Sequence, residues 1–211
     1  MELTKAEFAS VLYYHIRYYS CFHHTNMLFP DIKYVFLDRD GVINRKAPEG
    51  EYVANWRDFQ FLPGVEAAIA SLNQSGRCVI VVTNQRGISL GLYDNAEVET
   101  IHEQLQKHLN AKHAHIDAFY YCPHDKDQCN CRKPKTGLFE RAFRDFPEAS
   151  RANSLVIGDS ISDIEAAHRL GLPSIFIQND LKIQKTGATE AIVLASAVSS
   201  SLFEAVAQYL R

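Results

Sequence analysis

The hydrophobic pattern of the chain contains five short runs in which nearly every residue is apolar. These runs are residues 34–37, 78–82, 118–121, 154–157 and 174–177. Short continuous apolar runs, without the alternation of a half-exposed strand, are typical of strands buried on both faces of a parallel sheet. We therefore predict five strands in one parallel sheet.

Amphipathic stretches separate these predicted strands. Apolar side chains recur at helical spacing in residues 64–75, 95–109, 136–146 and 163–170. Strands that alternate with helices predict the α/β fold class, with right-handed connections between the strands. We expect a Rossmann-like sheet flanked by helices in a three-layer arrangement.

Residues 1–32 stand outside this alternation. Thr4 could cap a helix with Glu7 at its third position, so we predict a helical N-terminal extension before a single domain over residues 33–211. The extension could pack on the core as an extra helix, or it could form a contact between subunits. The chain would accordingly be a monomer or a homo-oligomer assembled through this segment.

The composition excludes several classes of protein. Hydrophobic residues make up 46% of the 211 residues, and the net charge of −3 gives no basic surface for nucleic acid. No apolar run approaches the roughly 18 residues of a membrane span, and residues 12–29 lack the parts of a signal peptide. Three of the five cysteines lie within ten residues, which argues against a disulfide framework and favours a cytoplasmic protein.

Polar residues stand directly at the ends of three predicted strands. They are Asp38, Thr83 and Asp159. Ligands of open parallel sheets bind beyond the carboxyl ends of the strands, so we expect these three side chains to face one crevice. An isolated Asp-x-Asp segment is often only a turn, but its agreement with the other strand ends favours a functional site.

The acidic residues of this crevice indicate a divalent cation. Asp38 and Asp40 are two residues apart, so their side chains can point the same way, and Asp159 and Asp163 add two further carboxylates. Carboxylates this close repel one another unless a proton or a cation lies between them. Oxygen ligands favour Mg²⁺, and Gly41 would let the chain turn away sharply. Asp163 could instead cap the helix that follows.

A second group of candidate metal ligands lies between the third predicted strand and the next helix. It consists of Cys122, His124, Cys129 and Cys131. Three thiols and an imidazole match the ligand set of a structural zinc site, whereas two ordinary loop cysteines are the simpler alternative. We predict that Cys78 is a buried apolar residue. The other histidines show no ligand spacing and are predicted to lie on the surface, namely His102, His108, His113, His115 and His168.

Four motifs together resemble the haloacid dehalogenase superfamily of phosphatases. They are Asp38-Arg39-Asp40-Gly41-Val42-Ile43-Asn44, Thr83-Asn84-Gln85, Cys131-Arg132-Lys133-Pro134 and Gly158-Asp159-x-x-x-Asp163. Within that superfamily, they are similar to the subfamily of heptose bisphosphate and histidinol-phosphate phosphatases. The resemblance covers residues 33–211 and implies zinc at the Cys/His cluster.

The resemblance also implies a role for each motif. Asp38 would attack phosphorus and form an aspartyl-phosphate, and Asp40 would first donate a proton and then accept one. Thr83 and Lys133 would bind the transferring phosphoryl group. Mg²⁺ would be held by Asp38, the backbone carbonyl of Asp40, and Asp159. We expect the surrounding acids to raise the pKa of Asp40, which has to be protonated at the first step.

The substrate would bind at an open rim, because the interval between Gly41 and Thr83 is too short for a large cap domain. Arg132, next to Lys133, suggests a second anion site, and a sugar bisphosphate would use both. The other candidate substrate-binding residues are Tyr52, Asn84, Gln85, Arg86 and Ser160. In the heptose enzymes a lysine that contacts substrate often stands at the position of Ser160. This difference affects the expected sugar specificity more than the expected chemistry.

Three functions follow from these motifs. The first is removal of the 7-phosphate of a heptose 1,7-bisphosphate, which is implied because the residues after Asp40 and after Thr83 resemble those of the heptose enzymes. The second is hydrolysis of histidinol phosphate or another small phosphomonoester, favoured by the short Cys/His loop. The third is a phosphosugar-binding module without turnover, against which the complete set of catalytic residues argues.

Overall fold

Six strands form one fully parallel sheet in the computed structural model, which describes residues 29, 31–48, 50–178 and 186–210. They are β1 (Tyr34–Leu37), β2 (Cys78–Asn84), β3 (Ala118–Cys122), β4 (Ser154–Gly158), β5 (Ser174–Ile177) and β6 (Ala197–Ser199). Their order across the sheet is β3-β2-β1-β4-β5-β6. The five predicted strands are confirmed, and β6 adds a short edge strand of three residues that is too brief to leave a hydrophobic pattern.

Six α-helices connect or follow these strands within the described residues. They are α1 (Val65–Gln74), α2 (Asn95–Asn110), α3 (Gly137–Asp145), α4 (Ile161–Leu170), α5 (Ala188–Leu194) and α6 (Leu202–Tyr209), with a short 3₁₀ helix at Trp56–Asp58. The first four agree with the predicted helices. Helix α2 begins with a capping box, in which Asp94 accepts from the Glu97 amide and Glu97 accepts from the Asp94 amide.

The helices cover both faces of the sheet, as a three-layer fold requires. Val35 and Leu37 of β1 pack with α1, α2 and α6 on one face. Phe36 points to the other face, where it packs with α3 and α4 and its ring lies 5.4 Å from that of Phe139. This alternation along a strand buried on both sides explains why the run is apolar throughout.

The strand order places a crevice at the centre of the sheet. β1 pairs with β2 on one side and with β4 on the other, so Leu37 lies opposite both Val81 and Ile157. The chain leaves β1 towards β2 and later returns to its other side through β4. This reversal is the topological switch point at which open α/β sheets bind ligands.

Little structure is inserted between β1 and β2. Apart from the 3₁₀ helix and α1, the described residues between these strands form turns and extended segments, so they contain no separate cap domain. The predicted N-terminal helix, with Thr4 and Glu7, lies outside the described residues. Phe29, which precedes β1, packs edge-on against Tyr209 at 6.3 Å between ring centroids. None of the described helices has the length and hydrophobicity needed to cross a bilayer.

Candidate active site

A tight turn after β1 directs the first acidic residues into the crevice. The backbone carbonyl of Arg39 accepts from the amides of Ile43 and Asn44, at 2.8 and 3.1 Å, which closes the turn. Gly41 has a φ of 98° there, and a Cβ atom at this position would lie 2.2 Å from Oδ2 of Asp159. Glycine is therefore required both by the backbone conformation and by the close approach of the β4 loop.

Three carboxylates converge beyond the ends of β1 and β4. Asp38, Asp159 and Asp163 offer oxygen atoms that all lie within 4.8 Å of one another, and all three side chains are buried. Hard oxygen donors at this separation suit the coordination of Mg²⁺. The structure thus brings together two of the predicted magnesium ligands and adds Asp163 to them.

Lys133 is the buried cation of this cluster. Its Nζ atom lies 3.0 Å from Oδ1 of Asp38 and 2.6 Å from Oδ1 of Asp163, and it donates to the backbone carbonyl of Val82 at 2.6 Å. Burial alone would lower the pKa of Lys133, but the two carboxylates raise it above the usual range of lysine. The ammonium therefore stays charged and holds Asp38 in place.

The pKa of Asp38 is raised to about 6, mainly because the carboxyl is buried. Lys133 opposes this shift, whereas Asp163, Asp159 and Asp40 add to it. A bound dication would favour the ionised form that a nucleophile needs. The electrostatics of the crevice thus favour a cation beside Asp38.

Asp163 caps α4 as well as pairing with Lys133. Its Oδ2 atom accepts from the backbone amide and the hydroxyl of Ser160, at 3.0 and 2.5 Å. The predicted helix cap at Asp163 is therefore present. Asp163 also lies close to Asp38, and its contact with a metal-bound water stays a prediction. The hydroxyl of Ser160 is buried in this cap and in a 2.8 Å contact with Ser162.

The pKa of Asp40 is lowered, whereas we expected it to be raised. Burial would raise its pKa, but Arg39 and hydrogen bonds from Asn44, Gln85 and Arg39 outweigh burial, so the pKa of Asp40 is lowered. Nη2 of Arg39 lies 3.1 and 3.0 Å from the two carboxylate oxygens, and Nδ2 of Asn44 lies 2.8 Å from Oδ1. Our prediction of a raised pKa was wrong because the sequence gives no sign that Arg39 folds inward.

Gln85 is a buried link in the same network and does not line the open rim. The residue is 1% exposed, and its Nε2 donates to Asp40 Oδ2 and to Thr83 Oγ1, at 3.0 Å each. Its Oε1 accepts from the hydroxyl of Tyr93 at 2.8 Å and from Arg39 at 3.3 Å. The Gln85 side chain thus aligns Asp40 and Thr83 in this structure, and a contact of Gln85 with substrate stays a prediction.

Asn84, the last residue of β2, fixes the backbone of Lys133. Its amide group donates to the Lys133 carbonyl at 3.1 Å, and its Oδ1 accepts from the Lys133 amide at 3.0 Å. Both hydrogen-bonding ends of the Asn84 side chain are therefore occupied. A direct contact of Asn84 with substrate stays a prediction.

The Cys/His cluster has the geometry of a metal site. The sulfur atoms of Cys122, Cys129 and Cys131 lie 3.1 to 3.5 Å apart, and Nδ1 of His124 lies 3.4 Å from Cys131 Sγ. Tetrahedral zinc with bonds of about 2.3 Å would separate its sulfur ligands by roughly 3.8 Å. The four side chains thus fit a zinc ion with a small outward adjustment.

Two arginines lie at the rim formed by this cluster. Arg86 forms a bidentate pair with Asp125 of the Cys/His loop, with Nε and Nη2 at 2.6 and 3.0 Å from the carboxylate oxygens. Arg132 donates from its backbone amide to Cys129 Sγ at 3.3 Å. Tyr52 interacts with Arg86 and packs edge-on against Tyr93, at 6.1 Å between ring centroids. The substrate contacts of Tyr52, Arg86 and Arg132 remain predictions.

Two charged residues of the site carried no clear signal in the sequence. Arg39 is completely buried, although it occupies the variable position of the Asp-x-Asp motif. The Nζ atom of Lys46 lies 2.6 Å from Oδ2 of Asp159. In the sequence, Lys46 is only one of two neighbouring basic residues in a loop. Both could be found only from the folded chain, because their partners are set by the path of the turn.

One of the histidines predicted to lie on the surface is buried. His102 of α2 is 6% exposed and stacks on Phe119 at 4.4 Å between ring centroids. It lies on the apolar face of its helix, which the periodicity could have revealed. His113, His115 and His168 are exposed as predicted, while His108 is partly buried against Phe61.

Comparison with known proteins places this geometry in a family. The Hydrolase_like model, described as HAD-hydrolase-like, matches residues 130–203. The chain is 45% identical over 137 residues to the D-glycero-alpha-D-manno-heptose-1,7-bisphosphate 7-phosphatase of Mycobacterium bovis, covering 64% of this chain and 72% of that protein. It is 36% identical over 173 residues to the D-glycero-beta-D-manno-heptose-1,7-bisphosphate 7-phosphatase of Vibrio cholerae, covering 78% and 91%.

The chain belongs to the heptose-1,7-bisphosphate 7-phosphatase family. The family fold is also found in a solved structure, that of D,D-heptose 1,7-bisphosphate phosphatase from B. bronchiseptica complexed with magnesium and phosphate. It superposes with a TM-score of 0.73 at 30% identity, over 85% of this chain and 98% of that one. The predicted membership of the haloacid dehalogenase superfamily is thereby confirmed.

Proposed function

We propose that this chain is a magnesium-dependent phosphatase that removes the 7-phosphate of D-glycero-D-manno-heptose 1,7-bisphosphate through an aspartyl-phosphate on Asp38. The observation that carries the proposal is the buried cluster in which Lys133 lies 3.0 Å from Asp38, with Asp159 and Asp163 beside them. The magnesium and phosphate in the family member from B. bronchiseptica support the same chemistry here.

In the first step, a carboxylate oxygen of Asp38 attacks the phosphorus atom while the bond from phosphorus to the sugar oxygen breaks. Asp40 gives its proton to the departing oxygen, so the sugar leaves as an alcohol. Lys133 and the hydroxyl of Thr83 hold the phosphoryl oxygens during the transfer. Mg²⁺, held by Asp38, Asp159 and the Asp40 carbonyl, would supply the charge neutralisation that phosphoryl transfer requires.

In the second step, water attacks the phosphorus atom of the aspartyl-phosphate and gives a proton to Asp40. Inorganic phosphate leaves, and Asp38 is restored as a carboxylate. The pKa of Asp40 is lowered in the free site, so we propose that its proton arrives with the substrate. A phosphate monoester that binds as a monoanion could supply that proton.

We infer that the Cys/His cluster holds a structural zinc ion. Cys122, His124, Cys129 and Cys131 offer four donor atoms within 4.8 Å of one another. Lys133 follows Cys131 by two residues, so ordering this loop also positions the Lys133 ammonium. The zinc would therefore support catalysis from outside the reacting atoms.

We propose that Tyr52, Arg86 and Arg132 form the rim that binds the sugar. The guanidinium groups of Arg86 and Arg132 would bind the second phosphate. The relatives named for the alpha anomer match at 44 to 45% identity, and those named for the beta anomer at 34 to 38%. We therefore propose the alpha anomer as the preferred substrate.

The test is a panel of phosphate-release assays with Mg²⁺ and equal concentrations of the two anomers of heptose 1,7-bisphosphate and of histidinol phosphate. We expect the highest kcat/KM with the alpha anomer and at least about tenfold less with histidinol phosphate, a difference of about 1.4 kcal/mol. A preference for histidinol phosphate would contradict the proposed substrate. Binding without phosphate release from any compound would favour a non-catalytic module.

A further inference from the structure

Lys46 is a cation in direct contact with a predicted magnesium ligand. Its Nζ lies 2.6 Å from Oδ2 of Asp159, and its side chain is 14% exposed while that of Asp159 is 2% exposed. The lysine belongs to the loop that follows the Asp38–Asn44 turn. Its partly exposed side chain therefore extends from this loop to the buried carboxylate of Asp159.

The other cations of the site are held elsewhere. Lys133 pairs with Asp38 and Asp163, and Arg39 pairs with Asp40. Both are completely or almost completely buried, with side-chain exposures of 0% for Arg39 and 2% for Lys133. Lys46 is thus the most exposed of these three cations, with 14% of its side chain accessible to solvent.

Charge balance explains why a cation is needed at Asp159. Four carboxylates and the three cations that pair with them leave one net negative charge in the site. Without Lys46 the excess would be two negative charges, and three of the four carboxylates, those of Asp38, Asp159 and Asp163, offer oxygen atoms within 4.8 Å of one another. Such an arrangement is costly in a buried site. A dication at Asp159 would reverse the net charge and make the contact with Lys46 unnecessary.

We propose that Lys46 is an internal counter-cation that occupies Asp159 until Mg²⁺ binds, and that metal binding transfers its ammonium to the phosphoryl group of the substrate. The proposal rests on the proposed function, since it assigns Mg²⁺ and a phosphate ester to this site. Two cations cannot approach the same carboxylate oxygen closely without repelling each other. A phosphoryl oxygen bound beside the metal is the acceptor that the displaced ammonium would meet.

The experiment compares binding in three variants by isothermal titration calorimetry. Lys46→Met removes the ammonium and keeps an unbranched apolar stem, whereas Lys46→Arg keeps the charge. Arg45→Met is the matched control, because Arg45 is exposed on the same loop and forms no ion pair with another described residue. Mg²⁺ is titrated first, and inorganic phosphate is then titrated at saturating Mg²⁺.

We expect Lys46→Met to bind Mg²⁺ about tenfold more tightly than the wild type, because no ion pair has to be broken, and to bind phosphate about tenfold more weakly. Lys46→Arg should bind both nearly as the wild type does, and Arg45→Met should change neither. Unchanged or weaker Mg²⁺ binding by Lys46→Met would overturn the proposal. An equal gain in Mg²⁺ affinity in Arg45→Met would also overturn it, because the effect would then come only from the net charge of the loop.

Failure of the proposed function would have a different signature. If the wild type bound no Mg²⁺, or bound it without releasing phosphate from any phosphosugar, the assignment of the site as a phosphatase would be wrong. If the wild type bound Mg²⁺ and turned over substrate while Lys46→Met bound both ligands as the wild type does, only the role of Lys46 would be wrong.

Discussion

Arg39 decides the charge state of the residue next to it. The guanidinium is completely buried and pairs with both oxygens of Asp40, and Gln85 and Asn44 donate to the same carboxylate. These contacts fix Asp40 in one orientation and lower its pKa. Asp40 is therefore held in a defined position, but it is protonated less readily than a free aspartic acid.

His102 gives the clearest pH dependence at this scale. Burial lowers its pKa to about 3, with Arg39 acting in the same direction and Asp40 against it. An unfolded histidine has a pKa of about 6.5, so the unfolded chain binds a proton more readily below that value. The contribution of neutral His102 to stability is thus complete above about pH 6.5 and is lost as the pH falls towards 3.

We expect the wild type to lose about 2 kcal/mol more stability between pH 7 and pH 5 than His102→Phe does. The substitution keeps an aromatic ring against Phe119 and removes the titrating group. Urea unfolding at the two pH values measures the difference. Equal losses in the two proteins would show that His102 does not stay neutral in the fold.

At the scale of elements, the Cys/His loop and the segment after β2 form one rim. Arg86 from the segment after β2 pairs with Asp125 of the loop, and Asn84 holds the backbone of Lys133. The loop between β3 and α3 has little apolar packing of its own, since Asp125, Asp127 and Gln128 are polar. A metal ion at the four ligands is therefore the natural source of its order.

Removing one ligand tests this account of the loop. We expect purified wild type and Cys78→Ala to contain about one zinc ion per chain, and Cys129→Ser to contain much less. We also expect Cys129→Ser to lose at least about tenfold in kcat/KM, roughly 1.4 kcal/mol, because Lys133 is no longer held in place. Cys78 is the matched control, because it lies in β2, outside the cluster.

Metal analysis by mass spectrometry and phosphate-release kinetics give the two readouts. Zinc-free wild type with full activity would contradict the structural role of the metal. Loss of zinc in Cys78→Ala as well would show that instability of the chain, and not the ligand, controls the metal content.

At the scale of the whole molecule, the sequence predicts the strands that lie at the centre of the sheet. Those strands are buried on both faces, so they are apolar throughout, and Asp38, Thr83 and Asp159 lie at their ends by necessity. β6 and α5 escaped prediction because they are short elements of three and seven residues, and α6 was missed although Leu202, Ala205 and Val206 place it in the core. The roles of Arg39, Gln85 and Lys46 also escaped prediction, since long-range contacts define them and no local pattern encodes such contacts.

Trapping the phosphorylated form of Asp38 tests whether this residue is the nucleophile. Wild type and Asp38→Asn are mixed with heptose 1,7-bisphosphate and Mg²⁺, quenched in acid within the first turnover, and digested for mass spectrometry. We expect a phosphoryl group on the wild-type peptide that contains Asp38, and we expect neither this group nor phosphate release in Asp38→Asn. Undiminished phosphate release by Asp38→Asn, or a phosphoryl group on another residue, would contradict the assignment of Asp38 as the nucleophile.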